Sequence, residues 1–341
     1  METIPEVRPL IVSASRATDI PAFYAKWFFD RLEAGYCVWV NPFSGKGTKV
    51  SFDNLIFVVF WTKDPSPLEE YLPLLQAKGI GFYIQYTIND YGKEGLESGV
   101  PPLKDRIASL KRISLKYGKD HVVWRFDPLI LMDGLTVGDL LDRVCSVGEE
   151  VHRHVEKFVF SFADIGPYRK VRNNLRAYGI PYREWDEESM VEFAKGLGKV
   201  CSHWKIPMET CAEKADLSQF GIRHGKCIDD DNIIRIAHSD AVLMEYLGVT
   251  IHDVGESLFP SEDIPHGAVI IDENHYVVKG RINKDRGQRK FCGCAPSKDI
   301  GRYDTCPHLC KYCYANSSEK KVSENFRRHL ENPFGETITG K

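Results

Sequence analysis

The stretch LIFVVFWT, Leu55–Thr62, is a run of β-branched and aromatic residues with no charge. A bilayer-spanning helix needs about 20 apolar residues, so this run is far too short to be one. It is apolar throughout rather than at alternate positions. That pattern predicts a strand covered on both faces, as in a parallel sheet with helices on either side. Six further runs share this character: LIVSAS (Leu10–Ser15), YCVWV (Tyr36–Val40), FYIQYTI (Phe82–Ile88), HVVWRF (His121–Phe126), KFVFSF (Lys157–Phe162) and PMETCA (Pro207–Ala212). Between them lie helical patterns, the first opening near Pro21 and ending at Gly35, where proline and glycine belong in a helix. Strands alternating with helices predict an α/β fold, a complete or partial (β/α) TIM-type barrel over residues 1–265. The segment 41–53 is too short and too glycine-rich for a full crossover helix, so one unit is degenerate. Asp231–Gly248 reads as one more helix. Residues 266–341 form a second segment, with a hairpin over Ala268–Lys279 and then a cysteine-rich tail folded onto the barrel.

The chain has 341 residues, a net charge of −3 and 27% charged residues, and so lacks the overall basic signature of a nucleic-acid binder. Basic residues exceed acidic ones after residue 280, which reads as a solvated face. The N-terminal residues have neither the basic segment nor the long apolar run of a secretory leader. A cytoplasmic protein with no membrane segment is the expectation. In a reducing compartment, clustered cysteines bind metal or do chemistry more often than they form disulfides.

Polar groups gather where the strand runs end: Ser13, Ser15 and Arg16; Asn41; Thr62, Lys63 and Asp64; Gln85 and Thr87; Arg125 and Asp127; Ser161 and Asp164; Glu209, Cys211 and Glu213. The strand C-termini of a barrel open onto its active-site mouth. Arg125, Asp127, Glu209 and Glu213 are the candidate catalytic residues, able to bind substrate or handle protons. Arg16, with Ser15 beside it, could clamp an anionic group of a cofactor. Three weaker features read as structural. SGKGT (Ser44–Thr48) lacks the order of a phosphate loop, HRH (His152–His154) points its imidazoles to different faces and reads as a surface feature, and Asp229–Asp231 places acid at a helix start.

Ten cysteines are present, five of them between Cys292 and Cys313. Cys306, Cys310 and Cys313 are spaced C-x3-C-x2-C, a compact set of soft ligands suited to an iron–sulfur cluster. A [4Fe–4S] cube held by three cysteines keeps one iron for another ligand. This spacing, with Tyr312 before the last cysteine, is similar to the cluster motif of the radical S-adenosylmethionine (SAM) enzymes. That resemblance implies SAM bound at the open iron, with Tyr312 beside the cofactor, and cleavage to a 5′-deoxyadenosyl radical. The superfamily's triplet usually follows the first strand and is often accompanied by a Gly-Gly-Glu segment. Here the triplet follows the barrel, and the sequence has no Gly-Gly pair. Cys211, Cys227, Cys292 and Cys294 would suffice for a second [4Fe–4S] cluster or a closed zinc site; the alternative is that they are buried apolar thiols. Cys37, Cys145 and Cys201 sit within strand or helix patterns and read as core.

Over most of its length the chain resembles the bacterial family called domain of unknown function 1848. The likeness is carried by SASRATDIPAFYAKWF (Ser13–Phe28), NPF (Asn41–Phe43), FWTKDP (Phe60–Pro65), WRFDP (Trp124–Pro128), CAEKADLSQFGIRHGKCID (Cys211–Asp229) and CGCAPSKDIGRYDTCPHLCKYCYAN (Cys292–Asn316). The resemblance implies a C-terminal cysteine cluster and leaves the substrate open. The expected function is an iron–sulfur, radical SAM-like enzyme acting on a small molecule or nucleic acid, with a flavodoxin- or ferredoxin-type electron donor. The alternatives are an iron–sulfur electron carrier or sensor without SAM chemistry, and a barrel hydrolase with structural zinc.

Overall fold

In the computed structural model, which describes residues 4–254 and 264–341, eight parallel strands form the central sheet. The first three N-terminal residues discussed above lie outside the described residues. The strands are β1 (Ile11–Ala14), β2 (Phe57–Thr62), β3 (Gly81–Thr87), β4 (Val122–Leu129), β5 (Lys157–Phe162), β6 (Met208–Thr210), β7 (Ile222–His224) and β8 (Lys298–Asp299). Their order across the sheet is β8-β1-β2-β3-β4-β5-β6-β7. That is the cyclic order of a (β/α) barrel, but among the described residues no ladder joins β7 to β8. The hydrogen-bonded sheet is therefore open, and the architecture is a mixed α/β fold with helices on both faces.

The continuous apolar runs follow from this covering. In β2, Val58 and Phe60 face one core while Phe57 and Val59 face another; Trp124 and Val123 divide in the same way in β4. The first core packs on the helices Ala25–Glu33, Leu103–Tyr117, Val137–Val151 and Glu187–Val200. Trp124 stacks on Phe158 there at 4.1 Å between ring centroids. Each such side chain, fully buried, stabilises by about 1.5–3 kcal/mol. The opposite face is filled by Ile233 and Ile234 of the helix Asp230–Ala237 and by Leu243, Met244 and Leu247 of the helix Ala241–Leu247, with Cys227, Cys292 and Cys294 among them.

Two sequence expectations are corrected and a third is extended. Tyr36–Val40 lies outside the central sheet. It pairs antiparallel with Gly47–Ser51, which pairs with Glu6–Val7 in a separate three-stranded sheet. The short segment after Val40 is thus a hairpin loop, and Asn41 does not end a strand of the central sheet. The helix read from Asp231 onward is two, because the Asp240 carboxylate accepts from Leu243 N at 2.8 Å and starts a second helix. The hairpin over Ala268–Lys279 forms, as Val269–Ile270 against His275–Lys279, and Val249–Asp253 joins it as a third strand.

The tail supplies β8 and is fastened by one carboxylate. Asp299 accepts from Ser13 Oγ, Ser15 Oγ, Arg16 N and Gly301 N, each at 2.8 Å. This carries the chain across the C-terminal end of β1, so that the cysteine loop following it lies beside the strand ends. No helix among the described residues is long and apolar enough to cross a membrane.

Candidate metal centre

Cys306, Cys310 and Cys313 sit on one irregular loop, held by its own backbone. Cys313 N donates to Cys310 O at 3.0 Å, Asn316 Nδ2 to Cys306 O at 2.9 Å, and Asn316 N to Cys313 Sγ at 3.4 Å. Leu309 takes a left-handed backbone, φ 51°, which turns the loop between the first two cysteines. All three thiols are half-buried, and burial pushes each of them up, so the polypeptide alone leaves them protonated. A bound metal displaces such protons. His308 is not available as a fourth ligand. Its Nδ1 lies 2.8 Å from Gly99 O and its Nε2 2.9 Å from Asp19 Oδ2.

The donors this loop offers are therefore its three cysteines, without His308. A tetrahedral zinc about 2.3 Å from each sulfur would draw its ligands to within about 4 Å of one another. Among the described residues, no three cysteine sulfurs lie mutually within 4.8 Å. Three spread soft ligands fit one side of an iron–sulfur cluster better than a single zinc ion.

Tyr312 turns its ring inward from this loop. Its hydroxyl is 3.0 Å from both Lys63 Nζ and Asn89 Nδ2, and it donates to Glu97. Lys63 Nζ also donates to Glu97 Oε1 at 2.7 Å. Burial alone would raise Glu97, but the Lys63 and Arg106 charges hold it below the usual carboxylate range. Asn89 Oδ1 then accepts from Asp127 N at 2.9 Å. The Tyr312 hydroxyl, expected beside a cofactor, is thus engaged by polar groups at the ends of β2 and β3.

Arg125 and Asp127 come next along β4. Arg125 Nε donates to Asp127 Oδ2 at 3.1 Å, and its Nη1 reaches Gln85 Oε1 at 3.0 Å and Cys227 Sγ at 3.1 Å. Burial opposes the guanidinium charge, but Cys227, Asp127 and Cys211 around it hold its pKa well above the usual value. Ser161 donates to the other oxygen of Asp127. Glu213 accepts from Phe162 N at 3.0 Å, and burial, reinforced by the Asp127 charge, pushes it up to about 7. A carboxyl there can hold or release a proton near neutrality.

Cys211, Cys227, Cys292 and Cys294 meet beside Arg125. Cys211 Sγ and Cys227 Sγ are 3.4 Å apart, and Cys294 Sγ accepts from Cys227 N at 3.2 Å and Ile228 N at 3.4 Å. The Cys227 carbonyl is fixed by Tyr83 OH at 2.6 Å and Gln85 Nε2 at 2.7 Å. An unbroken series of contacts therefore runs from this group to the tail loop: Cys227, Arg125, Asp127, Asn89, Tyr312.

The other expected residues fall in three places. Ser15 and the Arg16 backbone fasten Asp299, while the Arg16 guanidinium lies 5.3 Å from the Trp61 ring centroid, with its Nη2 buried and unpartnered. Glu209 was grouped with Arg125 but belongs to a separate ion-pair set. Lys157 Nζ, buried, reaches Glu209 Oε2 at 2.6 Å and Asp229 Oδ2 at 2.8 Å. Asp229, Asp230 and Asp231 cluster closely, as Asp229 starts the helix Asp230–Ala237 and Lys226 and Lys279 bridge the run. His152 is buried and stacks on Trp204, and so is no surface residue. Cys37 and Cys201 are buried, and Cys145 Sγ lies 3.5 Å from Cys201 Sγ.

Sequence reading missed Asn89, Glu97, Arg289 and Asp299. Asn89 and Glu97 lie in the long loop after β3, where no periodicity marks a residue. The position of Asp299 between the two cysteine groups of the tail is the one signal in the sequence that could have found it.

The model of a family described as Domain of unknown function (DUF1848) matches residues 11–315. The chain belongs to this family. No curated protein and no solved structure matches it.

Proposed function

We propose that this DUF1848 member is a cytoplasmic iron–sulfur enzyme of radical SAM-like type. Cys306, Cys310 and Cys313 would hold a [4Fe–4S] cluster whose remaining iron takes SAM, and the sheet with its covering helices forms a partial (β/α) barrel around the site. The observation that carries the reading is the donor set: three cysteines on one loop at the strand ends, with the intervening histidine already bonded through both ring nitrogens. When bound, the cluster supplies one electron for reductive cleavage of SAM, delivered by a flavodoxin- or ferredoxin-type donor.

The chain's own residues do the positioning. Lys63, Asn89 and Glu97 fix Tyr312 and with it the cysteine loop. Asp127, held in place by the buried Arg125, offers a partly exposed carboxylate to a small-molecule or nucleic-acid substrate. Glu213, raised toward neutrality, is the group best suited to hold a proton at its carboxyl oxygen.

The test is anaerobic purification, chemical reduction and assay for 5′-deoxyadenosine after addition of SAM. Product that disappears in Cys310→Ala supports the reading. A reduced, iron-loaded protein that leaves SAM intact would refute the SAM assignment while leaving an electron carrier.

A further inference from the structure

We propose that Cys211, Cys227, Cys292 and Cys294 bind a second iron–sulfur cluster, ligated entirely by the protein and distinct from the one on the tail loop. Three segments far apart in sequence bring these thiols together: the end of β6, the loop before the helix Asp230–Ala237, and the approach to β8. Cys211 and Cys227 are 3.4 Å apart through their sulfurs, and Cys294 Sγ takes two backbone N–H donors from residues 227 and 228 at 3.2 and 3.4 Å. Cys292 lies two residues from Cys294, and both are buried. Backbone N–H groups aimed at sulfur suit a thiolate ligand, because they stabilise its charge.

The charges around the group argue against four neutral core thiols. Arg125 Nη1 is 3.1 Å from Cys227 Sγ, and Arg289 Nη2 is 4.0 Å from Cys211 Sγ. Arg16 carries a buried Nη2 without a partner. Arg289 is exposed, but Arg125 and the Arg16 Nη2 are buried, and among the described residues Arg16 makes no salt bridge, so Asp127 alone balances these two guanidiniums by direct pairing. Buried charge needs compensation, and a cluster held by four thiolates is anionic and supplies it. Loading draws on iron and sulfide and releases the thiol protons. No three of the sulfurs lie mutually within 4.8 Å, so a tetrahedral zinc would have to draw them together, while a cube would have to part Cys211 from Cys227.

The experiment uses the full chain purified without oxygen, with iron, sulfide and zinc counted per chain. Two [4Fe–4S] clusters give about eight irons and eight sulfides, and the triple variant Cys306→Ala, Cys310→Ala, Cys313→Ala keeps about four of each. The complementary variant Cys211→Ser, Cys227→Ser, assayed alongside, should also fall to about half the wild-type content. Wild-type protein with about four irons, all lost in the triple variant, overturns the second cluster and spares the first. One zinc, or one iron without sulfide, retained by the triple variant overturns it as well. If the triple variant fails to fold, the wild-type count decides by itself.

Discussion

Arg125 holds Asp127 through Nε at 3.1 Å and reaches Cys227 Sγ through Nη1 at the same distance, so one buried guanidinium joins a strand-end carboxylate to a thiol group. Removing it strands Asp127 and leaves Gln85 Oε1 without its donor. Arg125→Ala should cost about 3–5 kcal/mol, the usual penalty for breaking a buried ion pair on one side. Denaturant unfolding under anaerobic conditions measures this, and an unchanged midpoint contradicts the pairing.

Asp299 joins the tail to β1 through four donors. In Asp299→Asn one carboxylate oxygen becomes an NH2 group that cannot accept from them. The loss should be about 1–3 kcal/mol, the cost of leaving buried donors unsatisfied. Limited proteolysis should cut the variant faster between residues 284 and 305 than the parent. Equal cleavage rates would mean that the tail is held by other contacts.

Gly99 lies against the cysteine loop so closely that a Cβ would stand 2.6 Å from His308 O and 3.0 Å from its carbonyl carbon. Gly99→Ala must push the loop away, and iron per chain should fall by half or more while far-ultraviolet circular dichroism stays the same. Gly92 is the control, since a Cβ there meets nothing within 4 Å. Equal iron in Gly99→Ala and Gly92→Ala would detach this contact from metal binding.

Arg143 grips Glu94 with Nη1 at 2.8 Å and Nη2 at 2.6 Å, fastening the loop that carries Glu97 and Gly99. That bonding holds Glu94 below the usual carboxylate range. A carboxylate with a lowered folded pKa stabilises at pH values above its unfolded value of about 4.3 and loses that contribution as pH falls through the folded value. The stability gap between wild type and Glu94→Gln should therefore be full at pH 7 and close below about pH 4. A gap constant down to acid pH would assign it to packing instead.

The central strands were legible because both faces are covered, which makes Phe57–Thr62 or Lys157–Phe162 apolar without alternation. Tyr36–Val40 has similar residue types, but four of its five residues are only partly buried, and its partner Gly47–Ser51 carries no apolar run. β7 and β8 have three and two residues, too short for any periodicity, and exist because neighbours pair with them. At the site, the C-x3-C-x2-C spacing survives in local sequence, whereas the meeting of Cys211 and Cys227 with Cys294 is a product of tertiary folding. Charge type at a strand end could not tell Arg125 from Glu209, since the face and depth of each residue decide whether it meets a thiol or Lys157.

On the proposed reading, a cluster on Cys306, Cys310 and Cys313 would keep one iron open to SAM. Electron paramagnetic resonance of the reduced protein, recorded before and after SAM is added, tests it most directly. A cluster signal that shifts on addition, and does not shift in Cys313→Ala, is the predicted result. A spectrum unchanged by SAM, or reduced protein with no cluster signal, would contradict it.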